Sequence, residues 1–271
     1  MSNLQQRVIS AIVMAALTLV LTWLGGLPFR LFCAGITALI FYEWTHMARP
    51  GNGAALGLLP EALILVFIGA LIAGVPALWL LLLVAMLVAV AAVAARIREA
   101  AHWEASGVAY AALSSFSLAY LRDDNHSGLM AILFLFAVVW ATDIAAYFVG
   151  RAVGGPKLAP SISPGKTQSG AVGGAVGGLV AGLLLAIAAG AGNLVQLGLA
   201  ALALSIVSQV GDLFESWVKR RHGAKDSSNL IPGHGGVMDR VDGLVAAAFA
   251  LYVIGWVSAG AEHPALGLFP N

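Results

Sequence analysis

The sequence predicts an all-α, polytopic integral membrane protein, a helical bundle with about nine transmembrane helices and a cytoplasmic N-terminus. Of its 271 residues, 60% are hydrophobic and only 10% are charged, whereas soluble domains carry about 25% charged residues. Apolar runs of helix-spanning length recur along the whole chain. These runs do not alternate with polar residues, as the strands of a membrane β-barrel do, so an α-helical bundle is favoured.

Nine apolar segments account for most of the chain. They cover residues 7–24, 29–46, 56–73, 76–95, 105–120, 128–149, 169–190, 193–216 and 240–260. The third and fourth are nearly continuous and separate around Gly74 and Pro76. The first follows Arg7 and is similar to the apolar part of a secretion signal, but it is too long and no A-x-A cleavage site follows it. We therefore expect the first segment to remain as a spanning helix.

The distribution of basic residues predicts the orientation, because cytoplasmic loops carry an excess of Lys and Arg. With nine spans, Arg30 and Arg122 fall on one face, and the other twelve of the fourteen basic residues fall on the opposite face. Those twelve are Arg7, Arg49, Arg96, Arg98, Arg151, Lys157, Lys166, Lys219, Arg220, Arg221, Lys225 and Arg240. This pattern places the N-terminus in the cytoplasm and the C-terminus outside.

The two longest charged loops, 150–168 and 217–239, are separated by two spans and are predicted to face the same side. No polar block in the chain has the character of a separate soluble domain. We therefore expect a single membrane domain, in which residues 1–125 form mainly scaffold helices and residues 126–271 form the catalytic helices and loops.

A repeat of glycines follows the first of these loops. Gly170, Gly174, Gly178 and Gly182 recur every four residues. Small residues at this spacing let helices approach closely in lipid, so the repeat predicts a helix-packing face. A groove for a lipid tail along the same face is the alternative.

Carboxylates are concentrated at the predicted cytoplasmic ends of three spans. Asp143 lies near the end of the sixth span, Asp212 and Glu215 lie near the end of the eighth, and Asp239 and Asp242 lie at the start of the ninth. A single acid at the N-terminal end of a helix, or a single base at the C-terminal end, is explained by its interaction with the helix dipole. That explanation does not cover Asp212, a turn or two inside the membrane edge, where an ionised group is costly.

These acids suggest a metal and phosphate site. Cys33 is the only cysteine, which excludes an internal disulfide and a cysteine-rich metal site. Clustered carboxylates suit a hard cation such as Mg²⁺, and Lys and Arg beside them suit phosphate oxygens. The combination indicates metal-assisted phosphoryl or nucleotidyl transfer.

Two glycine-containing loops lie near these acids. In "PGHGG", Gly233, Gly235 and Gly236 let backbone N–H groups approach an anion, although an ordinary turn is the alternative. "SISPGKTQSG" ends like a P-loop, but a P-loop needs glycine at Pro160 and a preceding strand, so we reject it. Lys166 in that loop remains either a phosphate ligand or an interfacial anchor.

The segment 216–242, "SWVKRRHGAKDSSNLIPGHGGVMDRVD", which we call the signature segment, closely resembles the signature of the phosphatidate cytidylyltransferases, also called CDP-diacylglycerol synthases. The matching residues are Ser216, Lys219, Arg220, Lys225, Asp226, Pro232, His234, Gly235, Gly236, Asp239, Arg240 and Asp242. "DIAAYFVGR", which contains Asp143, and "SISPGKT" resemble two further segments of this family. The resemblance covers essentially the whole chain.

The resemblance implies an Mg²⁺-dependent reaction in which phosphatidic acid and CTP give CDP-diacylglycerol and pyrophosphate. It further implies a homodimer without nucleic acid partners in the bilayer of the bacterial inner membrane. Its active site would open to the cytoplasm and to lipid. A two-cation centre, with a second cation such as K⁺, would be held by acids matching Asp212 and Asp239.

The resemblance also implies roles for individual residues. Asp212, Asp239, Lys166 and Lys225 would be catalytic. The substrate-binding residues would be Ser163, Thr167, Ser216, Lys219, Arg220, Asp226, His234, Gly235, Gly236, Arg240, Asp242 and Asp143. The chain has Gln168, Ser169 and Gly170 where the family often has an acid followed by glycine, which weakens any role for position 169.

Two other functions agree less well with the sequence. A transporter or channel would place its acids near the bilayer midplane, within broken helices of two related halves, but here the charges gather at one surface and no repeat relates the halves. A CDP-alcohol phosphotransferase is superficially similar through "DRVDG", but the longer acid-rich pattern of that family is missing.

Overall fold

A computed structural model describes residues 3–48, 58–98 and 103–270, without the side chains of residues 3, 4, 6 and 7. Within these ranges the chain forms nine α-helices, one short hairpin and one 3-10 turn. The helices are α1 (Asn3–Leu24), α2 (Gly26–Ala48), α3 (Leu59–Ile72), α4 (Ala77–Ile97), α5 (Trp103–Arg122), α6 (His126–Val153), α7 (Gln168–Ala188), α8 (Leu194–Arg221) and α9 (Met238–Ala259). The hairpin consists of β1 (Lys157–Ala159) and β2 (Ser163–Thr167), and the 3-10 turn covers Pro264–Gly267.

Each predicted apolar segment corresponds to one of these helices, so the all-α class is confirmed. The largest difference lies at α8, which continues to Arg221 instead of ending at residue 216. Its last turn carries three basic residues, which interact favourably with the C-terminal end of the helix dipole. Arg49 and the first two residues of the predicted segment 56–73 lie outside the described residues, as does the side chain of Arg7.

Six of the described helices are long and apolar enough to cross a membrane, namely α2, α4, α6, α7, α8 and α9. The apolar part of α1, Val8–Leu24, and the whole of α3 are shorter. The 14 residues of α3 span about 21 Å at a rise of about 1.5 Å per residue, less than the roughly 30 Å hydrocarbon core of a bilayer. Large apolar side chains such as Trp79 and Val257 lie exposed on the helix surfaces, as expected for helices that face lipid.

The sequence did not predict the hairpin. Its strands pair in antiparallel fashion, with Lys157 opposite Thr167 and Ala159 opposite Ser163. A strand therefore does precede the "GKT" residues, contrary to one of the two reasons for rejecting a P-loop. Lys166 and Thr167 nevertheless lie within β2 itself, and not in a loop between a strand and a helix.

The chain divides into two compact units, Met1–Tyr120 with His222–Arg240 and Leu121–Arg221 with Val241–Asn271. In the first unit, α2 packs against α1 and α3, and α3 against α4. Two hydrogen bonds join α5 to α2. Trp44 Nε1 donates to the Trp103 carbonyl at 2.7 Å, and Ser115 Oγ donates to the Cys33 carbonyl at 2.8 Å.

In the second unit, the glycine repeat of α7 is the packing face between α6 and α8. All four repeating glycines are buried. A Cβ atom at Gly170 would lie 2.8 Å from the Ala146 carbonyl oxygen, and one at Gly174 would lie 2.9 Å from that of Thr142. Real Cβ atoms essentially never approach so closely, so the packing role predicted for the repeat is confirmed.

We expect Gly174→Ala to destabilise the protein by about 1–3 kcal/mol, because the added methyl group overpacks the contact between α6 and α7. Gly69→Ala in α3 is the matched control, since a Cβ atom there meets nothing within 4 Å. The measurement is thermal unfolding of both variants in detergent. Equal melting temperatures would contradict the packing role of Gly174.

Candidate active site

The hairpin holds Lys166 against the end of α8. Lys166 Nζ donates a hydrogen bond to Asp212 Oδ2 and forms an ion pair with it. The two side chains are 28% and 26% exposed, respectively. Ser216, one turn further along α8, donates to Asp212 Oδ1 at 3.4 Å. The structure therefore brings together three residues that the sequence predicted for one site.

This ion pair lines a cavity of about 670 Å³ in the second unit. Asp143 lies on its wall, together with the basic residues Arg151 and Lys157. The remaining wall is formed largely by small residues of α6, α7 and the hairpin. A cavity lined by both cations and carboxylates has the chemistry to hold phosphate groups together with a hard metal ion.

Asp242 at the start of α9 belongs to the same charged region. Its carboxylate lies close enough to those of Asp212 and Asp143 for their charges to repel one another, and close enough to Lys219 for attraction. Gly211 permits this approach, because a Cβ atom there would lie 3.1 Å from the Asp242 carbonyl oxygen. Acids from α6, α8 and α9 thus gather in one region of the second unit.

The two basic residues at the end of α8 have protein contacts of their own. Lys219 is buried and lies 3.0 Å from the carboxylate of Glu215, which is fully buried. Arg220 is exposed, and its Nε donates to the Ile162 carbonyl at 3.4 Å. The Arg220 contact ties the turn of the hairpin to α8, while the Lys219 contact is an ion pair inside the helix bundle.

The hairpin also starts α7. Thr167 Oγ1 accepts a hydrogen bond from the Gly170 backbone N–H at 3.1 Å, so Thr167 is the N-cap of that helix. Ser169 donates its hydroxyl to the Gly154 carbonyl and lies 3.1 Å from Thr167 Oγ1. Ser163 begins β2 opposite Ala159. These contacts fix the strand that carries Lys166.

The loop 222–240, most of the signature segment, lies in the first unit. Asp239 is buried there, and its Oδ2 accepts three hydrogen bonds. The donors are the Ser227 N–H at 2.9 Å, the Ser227 hydroxyl at 2.9 Å and the Gly236 N–H at 2.8 Å. Asp239 therefore organises the loop around its carboxylate.

The glycines of "PGHGG" are required by the shape of this loop. Gly233 and Gly235 have φ angles of 77° and 82°, which other residues rarely adopt. Gly236 is buried, and a Cβ atom there would lie 2.5 Å from Glu43 Oε1 and 2.6 Å from Oε2. The loop thus makes room for a carboxylate of this same chain.

Sequence reasoning did not identify Glu43, which lies in "FYEWT" within α2 and is fully buried. The signal was present, because an ionisable residue inside an apolar span is costly and requires a partner. The groups that donate hydrogen bonds to Glu43 lie in the signature segment. Glu43 differs from the predicted acids because it lies within a span of the first half of the chain, and not at the end of a span in the second half.

The other predicted residues of this loop are at least partly exposed. Lys225, Asp226 and Arg240 are exposed. His234 is half-buried, and its Nδ1 lies 2.8 Å from the hydroxyl of Ser10 in α1. A second cavity of about 550 Å³ lies beside the loop and is lined by Tyr42 and residues of 222–230.

The acids of the second unit suit the expected metal. In the part of the chain that the structure describes, no three His, Cys, Asp or Glu side chains are arranged to hold a metal ion. Mg²⁺ is usually bound by only one or two carboxylates together with substrate phosphates and water. Asp212 and Asp143 on the cavity wall are a donor set of this kind.

Comparison with known proteins agrees with this chemistry. Residues 5–258 match the model of the "Cytidylyltransferase family", and the chain belongs to this family. A phosphatidate cytidylyltransferase of Brucella suis is 50% identical over 271 aligned positions, covering 99% of each chain. A protein of the same name from Haemophilus influenzae is 34% identical over 284 aligned positions, covering 90% of this chain and 96% of the relative.

We expect Thr167→Ala to destabilise the protein by about 1 kcal/mol through loss of the N-cap of α7. Thr167→Ser is the matched control, because it removes the same methyl group but keeps the hydroxyl that Gly170 contacts. Thermal unfolding in detergent compares the two variants. If the alanine and serine variants melted at the same temperature, the capping bond would have no stabilising role.

Proposed function

We propose that this protein is a phosphatidate cytidylyltransferase, which transfers CMP from CTP to phosphatidic acid and releases pyrophosphate. The observation that carries the proposal is the pair of Lys166 and Asp212 on a charged cavity in a chain of the cytidylyltransferase family. Curated relatives of nearly full length carry the name phosphatidate cytidylyltransferase.

In the proposed reaction, an oxygen of the phosphatidate headgroup attacks the α-phosphorus of CTP. The new bond joins that oxygen to the α-phosphorus, and the bond to the bridging oxygen of the β-phosphate breaks, so that pyrophosphate leaves. The phosphate monoester is already largely ionised at neutral pH, so the attack needs no general base. The protein has to bring two anionic substrates together and stabilise the charge that develops.

Basic residues of this chain would offset the charge of the triphosphate and of the lipid phosphate. Lys166 faces the cavity directly, and the exposed Lys225, Arg220 and Arg240 are accessible to substrates. Lys219 would act from its buried position beside Glu215. The hairpin would be held in place for substrate binding by Ser163 and Thr167. The Asp212 carboxylate would be held by Ser216.

Asp212 and Asp239 are the proposed ligands of Mg²⁺ and of a second cation such as K⁺. Bound Mg²⁺ would neutralise phosphate charge and polarise the α-phosphorus. Asp143 and Asp242 would strengthen the negative field around Asp212. Asp226, His234, Gly235 and Gly236 would shape the loop around the substrates.

The proposed setting is the bacterial inner membrane, with nine spans and the N-terminus and active site facing the cytoplasm. It includes a homodimer, without nucleic acid partners, in which each chain is a single membrane domain. Support for a membrane setting comes from six of the described helices, which are long and apolar enough to cross a bilayer. Support for the orientation comes from the one-sided distribution of basic residues.

The proposal is tested with the purified protein in detergent, supplied with labelled CTP, phosphatidic acid and Mg²⁺. We expect labelled CDP-diacylglycerol and pyrophosphate in equal amounts, and loss of both when the metal is chelated. Omitting phosphatidic acid controls for simple CTP hydrolysis. Pyrophosphate without CDP-diacylglycerol, or neither product, would contradict the proposed reaction.

We expect Asp212→Asn to abolish Mg²⁺-dependent turnover while the protein remains folded. The amide removes the negative charge that would bind the metal, and this charge is also the partner of Lys166. Asp124→Asn, the same change at an exposed acid in the turn before α6, is the matched control. Near-normal activity of a folded Asp212→Asn protein across an Mg²⁺ titration would remove Asp212 from the metal site.

A further inference from the structure

Glu43 is an acid in the interior of the first unit. It lies on α2, a helix of spanning length, and none of its side chain is exposed. An ionisable group in such a place is costly unless it is hydrogen-bonded. The structure shows that the Glu43 carboxylate is hydrogen-bonded.

Four hydrogen bonds from the loop 222–240 and the start of α9 end on the Glu43 carboxylate. Oε1 accepts from the Ser228 hydroxyl at 2.7 Å and from the Val237 N–H at 2.8 Å. Oε2 accepts from the Ser227 hydroxyl at 2.9 Å and from the Met238 N–H at 2.7 Å. A carboxylate has about four acceptor sites, so these contacts use its whole capacity.

Two of these donors are the backbone N–H groups at the start of α9. The first N–H groups of a helix have no partner within the helix, and their dipoles favour a negative charge. Glu43 therefore caps α9 from a helix that lies nearly two hundred residues earlier in the sequence. A cap of this kind holds the residues at which α9 begins.

The Glu43 contacts extend directly to Asp239. The Ser227 hydroxyl lies 2.9 Å from Glu43 Oε2 and 2.9 Å from Asp239 Oδ2, so its single proton is shared between the two carboxylates. Gly236 donates its N–H to Asp239 Oδ2, and its missing side chain leaves the space that the Glu43 carboxylate fills. Displacing Glu43 would thus disturb the residues that orient the Asp239 carboxylate.

We propose that Glu43 is a positioning residue of the active site. It holds the loop 222–240 and the first turn of α9 so that Asp239 and its neighbours are oriented for catalysis. Its effect on turnover rests on the proposed cytidylyltransferase function, whereas its effect on the geometry of the loop does not. Glu43 itself is buried and need not touch either substrate.

Glu43→Gln is the sharpest test, because the amide has nearly the shape of the carboxylate. An NH₂ group replaces one oxygen, so one backbone N–H, that of Val237 or of Met238, faces another donor whichever way the amide is turned. The serine hydroxyl at the same position can turn to accept from the amide. Ser115→Ala is the matched control. It also removes a buried hydrogen bond of the first unit, the bond from Ser115 to the Cys33 carbonyl, which lies between α5 and α2 and does not involve the loop.

Three kinds of measurement are made on the purified full-length proteins in detergent. They are the melting temperature, kcat and KM for CTP and phosphatidic acid, and the hydrogen exchange of peptides that contain the amides of Val237 and Met238. We expect both variants to melt earlier than the wild type. Only Glu43→Gln should exchange these amides faster and lose about 10–100-fold in kcat/KM, the usual effect of removing a residue that orients ligands.

The inference would be overturned if Glu43→Gln exchanged these amides at the wild-type rate, or if the two variants lost the same fraction of kcat/KM. If the wild type made no CDP-diacylglycerol while Glu43→Gln still accelerated exchange, the cytidylyltransferase proposal would fail and the anchoring of the loop would stand. The two failures are therefore distinguishable.

Ser228→Ala provides a second variant in case Glu43→Gln does not fold. It removes one of the four donors and leaves the other three and the charge of Glu43 in place. We expect faster exchange at the Val237 amide, whose acceptor Oε1 is shared with Ser228, and a smaller loss of kcat/KM. Wild-type exchange together with wild-type kinetics in this variant would count against the inference.

Discussion

Carboxylates buried inside an apolar helix bundle need hydrogen-bond donors or cations as partners. Many of the polar contacts in this structure provide such partners. Glu43 and Asp239 in the first unit and Glu215 in the second are all buried. An unpaired charge in such surroundings would cost several kcal/mol. The loop 222–240 supplies the donors to Glu43 and Asp239, and Lys219 of α8 pairs with Glu215. This irregular loop is therefore as necessary to the fold as the helices.

The two units meet the requirement in different ways. In the first, Glu43 and Asp239 receive neutral N–H and O–H donors, which fix geometry and leave the negative charge in place. In the second, Asp212 and Glu215 are paired with lysines. The Lys166 pair is about one quarter exposed on a cavity, so an incoming phosphate or metal ion can compete for either partner.

Much of the fold could be predicted from the sequence, because its strongest signals are local. The long apolar runs predicted the nine described helices. The recurrence of glycine at every fourth residue predicted the packing face of α7. The hairpin escaped because β1 has only three residues, too few to show a period. Its turn is held by a tertiary contact, that of Arg220 with the Ile162 carbonyl.

The candidate site was predictable in part. Residue types and the signature segment indicated Lys166, Asp212 and the PGHGG loop, but pattern alone could not say what the glycines accommodate. Gly236 makes room for Glu43, which lies 184 residues before Ser227 and 195 before Met238. Contacts between residues so far apart in the sequence produce no periodic pattern of residue types. A single acid in an apolar helix indicates that it has a polar partner, but not which residue that partner is.

Close helix packing and the position of Lys166 are linked through one residue. A Cβ atom at Gly150 would lie 2.8 Å from Thr167 Oγ1 and 3.3 Å from the Gly170 Cα atom, so α6 and α7 almost touch where α7 begins. Thr167 fills this contact and caps α7, which fixes the end of β2. Because Lys166 precedes Thr167 in that strand, the close packing of Gly150 and Gly170 also holds the backbone of Lys166, whose ammonium group contacts Asp212.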